Sequence, residues 1–92
     1  MQISPEEARL KRLKMRSWRR GMKEMDLILG PFADTDLARL DADELDAYER
    51  LLDENDQELY LWVTGALEAP AQHAPMLQTI RSVVENRLRY GA

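Results

Sequence analysis

Apolar residues recur at helical spacing in five runs, each bounded by capping or helix-breaking residues. The first opens at Ser4-Pro5-Glu6-Glu7, where Ser4 suits an N-cap, Pro5 the first helical position, and Ser4 with Glu7 a capping box. Leu10, Leu13 and Ser17 share one face, and the run ends near Arg20-Gly21. The second begins near Met22 and carries Met22, Met25, Leu29 and Phe32 as a single stripe. Gly30-Pro31 interrupts it, and proline both removes a donor and clashes with the preceding turn, so a kink or an early stop is expected there. The third starts at Asp41-Ala42-Asp43-Glu44, a capping box that Leu40 and Leu45 flank as a hydrophobic staple. Its buried face is predicted to be Leu45, Tyr48, Leu51 and Leu52.

After the acidic break Asp53-Glu54-Asn55-Asp56, a fourth helix is predicted from Asn55 or Asp56, carrying Leu59, Tyr60, Trp62, Val63, Ala66 and Leu67. Residues 68–74 form a loop, and Pro75 opens a fifth helix with Met76, Leu77, Ile80, Val83, Val84 and Leu88 inward. No segment alternates with a period of two. The pattern predicts an all-α protein, a compact five-helix bundle forming one domain across residues 1–92. A chain of this length holds one core and no enclosed active-site cavity.

Charge changes the picture more than composition does. Seven of the thirteen Lys and Arg residues lie between Arg9 and Arg20, and eleven of the seventeen acids lie between Asp34 and Glu58. A basic end beside an acidic middle is expected to orient a partner. The absence of cysteine removes disulfides and thiolate chemistry from consideration. No apolar run reaches the length of a membrane span, and no apolar stretch behind the basic N-terminus marks a secretory signal, so a cytoplasmic protein is expected.

Catalytic chemistry lacks its components. The one histidine, His73, has no carboxylate nearer in sequence than Glu68 and reads as a solvated loop residue. Ser4, Ser17 and Ser82 sit in no nucleophile elbow, and the four glycines form no phosphate loop. No catalytic, metal or cofactor residues are therefore expected. The basic first helix, with Arg9, Lys11, Arg12, Lys14, Arg16, Arg19 and Arg20, supports an alternative reading as a nucleic-acid or regulatory binding protein. An overall pI near 5.0 and the acidic middle oppose it.

The run Arg19-Arg20-Gly21-Met22-Lys23-Glu24-Met25-Asp26 is the least ordinary. On a helical wheel Met22, Met25 and Leu29 point inward, while Arg20, Glu24 and Leu27 share the opposite face. Arg20 and Glu24 then form an ion pair at i, i+4, in the less favourable order for helix stability, and Gly21 caps the first helix. Bare backbone at Gly21 beside exposed charge suits close approach by a partner.

This run resembles the Arg-Gly-x-x-Glu signature of the succinate dehydrogenase flavinylation factors, also called FAD assembly factors. Leu29, Phe32 and Leu51-Leu52 continue the likeness. Asp56-Gln57-Glu58-Leu59-Tyr60-Leu61-Trp62 is similar to the family's Asp-Pro-Asp-Leu-aromatic-x-Trp stretch, with Gln57 at the usual proline. The resemblance covers about residues 8–90 and is closer to the bacterial branch. It implies a five-helix bundle that binds the flavoprotein subunit of succinate dehydrogenase, and of fumarate reductase, and promotes covalent attachment of FAD to a histidine of that subunit. The FAD belongs to the partner, and the factor is a chaperone expected to act as a monomer. Carried over by residue, Arg20, Gly21 and Glu24 would centre the contact, with Arg19, Met22 and Asp26 beside them.

Overall fold

A computed structural model describes residues 3–90. Five α-helices follow in order: α1 Pro5–Trp18, α2 Lys23–Asp36, α3 Ala42–Leu52, α4 Asp56–Thr64 and α5 Ala74–Tyr90, with a 3-10 turn at Leu37–Arg39. Among the described residues there is no strand.

The starts of the helices follow their local chemistry. Ser4 caps α1 by accepting from the Glu7 backbone N–H at 3.1 Å, and its own hydroxyl, not its backbone N–H, meets the Glu7 carboxylate. The α3 box is reciprocal: Asp41 accepts from Glu44 N–H at 2.8 Å, and Glu44 accepts from Asp41 N–H at 3.0 Å. Asn55 caps α4 by accepting from the N–H groups of Gln57 and Glu58, so glutamine in place of proline leaves the cap intact.

The helices bury their stripes against α2, which touches α1, α4 and α5. Met25, Leu29, Phe32 and Ala33 of α2 lie in the core with Leu13, Leu37, Tyr48, Leu51, Leu52, Leu59, Trp62, Val63, Met76, Leu77 and Ile80. Phe32 stacks on Tyr48 with ring centroids 5.5 Å apart. The Tyr48 hydroxyl shares a 2.7 Å hydrogen bond with Ser17, whose hydroxyl also donates to the Leu13 carbonyl. Burial pushes the Tyr48 phenol up to about 12, against the opposing bond from Ser17.

One open alternative is narrowed and three expectations need correction. Of the two outcomes expected at Gly30-Pro31, a kink or an early stop, the early stop is excluded: the second helix runs to Asp36 with Pro31 inside it. Buried Leu29, Phe32 and Ala33 on both sides of the proline hold the helical path. Arg87 of α5 donates to the Pro31 carbonyl at 2.9 Å and to the Thr35 hydroxyl at 2.7 Å. Gly30 has its own reason: a Cβ there would lie 2.4 Å from the Trp18 ring.

The fourth helix ends at Thr64, because Gly65 takes a left-handed conformation at φ 83. The Leu67 N–H then closes back on the Leu61 carbonyl, leaving Ala66 and Leu67 exposed instead of buried. Leu88 is also outside the core, at 82% exposed, although it lies on the apolar stripe of α5.

His73 is the third correction. It is 4% exposed, its Nε2 lies 2.6 Å from the Glu54 carboxylate, and its ring packs 5.8 Å from Trp62. The turn before α5 folds the ring under the α3–α4 turn, a contact that sequence distance from Glu68 does not reveal.

Candidate partner-binding corner

Residues 19–22 join α1 to α2 without helical hydrogen bonds of their own at Arg20 and Gly21. Arg19 ends α1 with φ −123 and ψ 48, and Met22 starts α2 from an extended conformation with no side-chain cap. Three acidic or carbonyl-bearing segments hold the loop instead. The Arg20 N–H donates to the Asp26 carboxylate at 2.6 Å, from the first turn of α2. Asp56, first residue of α4, accepts from Arg20 Nε at 2.6 Å with one oxygen and from the Gly21 N–H at 2.7 Å with the other. The remaining guanidinium nitrogens of Arg20 donate to the Leu52 and Glu54 carbonyls at 2.7 and 3.0 Å. The side chains of this pair are only 10% and 17% exposed, so each would leave a poorly solvated charge behind if the other were removed.

This geometry replaces the expected Arg20–Glu24 ion pair. Arg20 lies in the loop, outside α2, so i, i+4 spacing does not apply, and its donors are spent inward. Glu24 is exposed and, among the described residues, has no side-chain hydrogen bond or ion pair. Its place in the first turn of α2 suits the positive end of the helix dipole. Gly21 is likewise not a left-handed cap, since Gly65 alone has positive φ among the described glycines. A Cβ on Gly21 would meet only Asp56 at 3.4 Å, an ordinary contact. Neither conformation nor neighbouring space within the chain requires glycine there.

The face thus presented has Gly21 and Glu24 exposed, Arg19 exposed, and Met22, Arg20 and Asp26 half-buried. A shallow recess of about 390 Å³, lined by Gly21, Met22, Asn55, Asp56 and Gln57, opens beside it. Met15 and Trp18 at the end of α1 and Leu27 of α2 are the exposed large apolar residues nearest along the chain. A larger recess of about 610 Å³ lies elsewhere, between the end of α4 and α5.

Relatives of known name place the chain as a whole. Residues 11–84 match the family described as flavinator of succinate dehydrogenase. The chain belongs to this family. Its relatives include a FAD assembly factor SdhE of Acetobacter pasteurianus, 39% identical over 91% of this chain and 76% of that protein. A succinate dehydrogenase assembly factor 2, mitochondrial, of Aspergillus terreus is 43% identical over 74% of this chain and 22% of its own length. Its counterpart in Penicillium rubens is 36% identical over 88% of this chain and 26% of its own length. The chain therefore spans about a quarter or less of these fungal flavinator-family proteins, and most of the bacterial one.

No relative's name supports the nucleic-acid reading of the basic helix, and part of its charge turns inward. Arg9 bonds Asp46 at 2.7 Å and Glu49 at 3.0 Å, and donating to those two carboxylates raises its pKa above the ordinary guanidinium value. Arg16 bonds Asp53 at 2.8 Å, and Arg20 bonds Asp56. Three of the seven basic residues between Arg9 and Arg20 thus face the acidic middle within the fold, while among the described residues Lys11, Arg12, Lys14 and Arg19 form no ion pair. The contacts of Asp56 with Arg20 and Gly21 and of Glu54 with His73 are those that local sequence does not announce. One signal existed for Asp56: it opens the second stretch of the family likeness, with a charge opposite to Arg20 in the first.

Among the described residues, no helix is long and apolar enough to cross a membrane, and no three potential ligands gather as a metal site.

Proposed function

We propose that this chain is an assembly factor that docks on the flavoprotein subunit of succinate dehydrogenase and promotes covalent attachment of FAD there. The docking surface is the corner of Arg19, Gly21, Met22, Glu24 and Asp26, which Arg20 shapes from within. The observation that carries the reading is Gly21: an exposed glycine that the fold does not need, beside an exposed glutamate with no partner in the described chain. Bare backbone admits close approach, and an unpaired carboxylate has its lone pairs available for a donor on the partner. The corner offers shape and charge and no reacting group, so the flavin bond is formed by the partner's own chemistry and the factor is no enzyme. FAD belongs to that partner. The reading extends to a single copy of the chain acting in the cytoplasm, and to the flavoprotein subunit of fumarate reductase.

The test is flavin fluorescence of denatured protein, in gel, from a strain lacking this chain and carrying one of three versions. The unsubstituted chain should restore covalent flavin. Glu24→Ala should melt within about 0.5 kcal/mol of the original and yet fail to restore it. Gly21→Arg should also fail, with a normal fold, because a large side chain stands where backbone approach is needed. Normal covalent flavin in the deletion strain, at normal subunit abundance, would falsify the assignment.

A further inference from the structure

We propose that Asp56 is a positioning residue for the docking corner, and that Arg20 acts with it from inside the fold without touching the partner. The inference rests on the proposed docking of the flavoprotein at this corner. The Asp56 carboxylate holds two consecutive residues of a segment 35 and 36 positions away, the Gly21 backbone N–H and Arg20 Nε. Within the described chain the Gly21 N–H has no other acceptor. Arg20 reaches the same turn three ways, through Asp56, Leu52 O and Glu54 O. Loop 19–22 contains a glycine and lacks helical bonds at Arg20 and Gly21, so these contacts decide which of its many conformations is populated. A corner held in one shape before docking binds more tightly than one ordered on contact, because the ordering entropy is already spent.

A neighbouring acid provides the contrast. Asp53 also bonds an arginine of α1, Arg16, but its side chain is 71% exposed and it touches no backbone of the loop. It is an ordinary surface pair, worth little.

The two readings of Arg20 separate cleanly. An arginine that contacts the partner would be released by Asp56→Asn, and affinity would hold or rise. An arginine that positions the corner loses its anchor in Asp56→Asn, and Arg20→Lys loses the fork that spans Asp56 and two carbonyls. The experiment measures binding of the purified chain to the purified flavoprotein subunit by calorimetry, with thermal melting and amide exchange on the same samples. Asp56→Asn and Arg20→Lys should each melt cooperatively and bind on the order of tenfold more weakly. The double variant should bind no worse than either single one, because both remove the same anchor. The Gly21 amide should exchange faster in Asp56→Asn, while Asp53→Asn should bind as the unsubstituted chain does.

Unchanged affinity or unchanged Gly21 exchange in Asp56→Asn would overturn the proposal. So would loss of the cooperative melt, which would make Asp56 a folding residue. If the unsubstituted chain itself failed to bind the flavoprotein, the proposed function would fall and this inference with it. Retained binding by Asp56→Asn alone would remove only the inference.

Discussion

Gly30→Ala should destabilise this protein, although helix propensity says the opposite. Alanine in a helix interior is favoured over glycine by about 1 kcal/mol. Here the new methyl would lie 2.4 to 2.5 Å from three atoms of the Trp18 ring, closer than any carbon contact permits. Two outcomes are open to the ring. A sideways shift costs the overpacking typical of a filled site, about 1–3 kcal/mol. A full swing into water would expose about 100–150 Å² of apolar surface from a residue now 41% exposed, or about 2.5–4 kcal/mol at 25 cal/mol per Å². The swing would also break the 3.2 Å bond from Trp18 Nε1 to Asp34. The cheaper shift governs, and less the propensity gain of about 1 kcal/mol it leaves a net loss of about 0–2 kcal/mol. The assay is urea unfolding of a double-mutant cycle, read as midpoints at constant slope. In a Trp18→Ala background the clash is gone, and Gly30→Ala should become stabilising by about 0.5–1 kcal/mol. A higher midpoint for Gly30→Ala with Trp18 still present would refute the close approach.

Three further outcomes follow from the core. Trp62 is 8% exposed, and Trp62→Ala should cost about 3–5 kcal/mol by denaturant unfolding, with a loss under about 1 kcal/mol placing it on the surface. His73→Ala should cost about 1–3 kcal/mol in melting, since it removes both the Glu54 bond and the Trp62 contact; Glu54 is 31% exposed on its side chain and can return to water. Tyr48, with its phenol raised to about 12 by burial, stays neutral in the folded chain where the unfolded chain ionises. The unfolded state then binds fewer protons, so this stability is full below about pH 10 and is lost as pH rises towards about 12, roughly 2–3 kcal/mol in all. The chain has three tyrosines, so the check is a difference: phenolate absorbance at about pH 10 that the still-folded protein shows and its Tyr48→Phe variant lacks would contradict it.

Helix existence was legible wherever the signal was local. Ser4, Asp41 and Asn55 cap helices with their own side chains, and the apolar stripes name most of the core. What escaped was set by contacts distant in sequence. Gly30 looks like a helix breaker until Trp18, twelve positions earlier, is seen to lie against it. His73 looks solvated until the fold brings Glu54 to it. The wheel extended α4 through Ala66 and Leu67 because periodicity does not register a left-handed Gly65, and it buried Leu88 because a stripe does not show where neighbouring helices end. At the corner, the residue identities were legible from the family likeness, but the roles were not. A wheel drawn through residues 20–27 assumes a helix that begins only at Lys23, and that assumption produced the Arg20–Glu24 pair.

The acidic break between α3 and α4 was read as punctuation, and its geometry makes it the joint of the molecule. Leu52 and Glu54 give carbonyls to Arg20, Asp53 takes Arg16, the Glu54 carboxylate takes His73, Asn55 caps α4, and Asp56 holds Arg20 and Gly21. Five consecutive residues thereby stop one helix, start another, and tie α1, the α1–α2 loop and the turn before α5 to the same place. A cluster of like charges would be unstable alone; here each of three carboxylates faces a basic side chain from a different part of the chain. Arg20-Gly21 and Asp56, 36 and 35 positions apart in the chain, are the two sides of one contact.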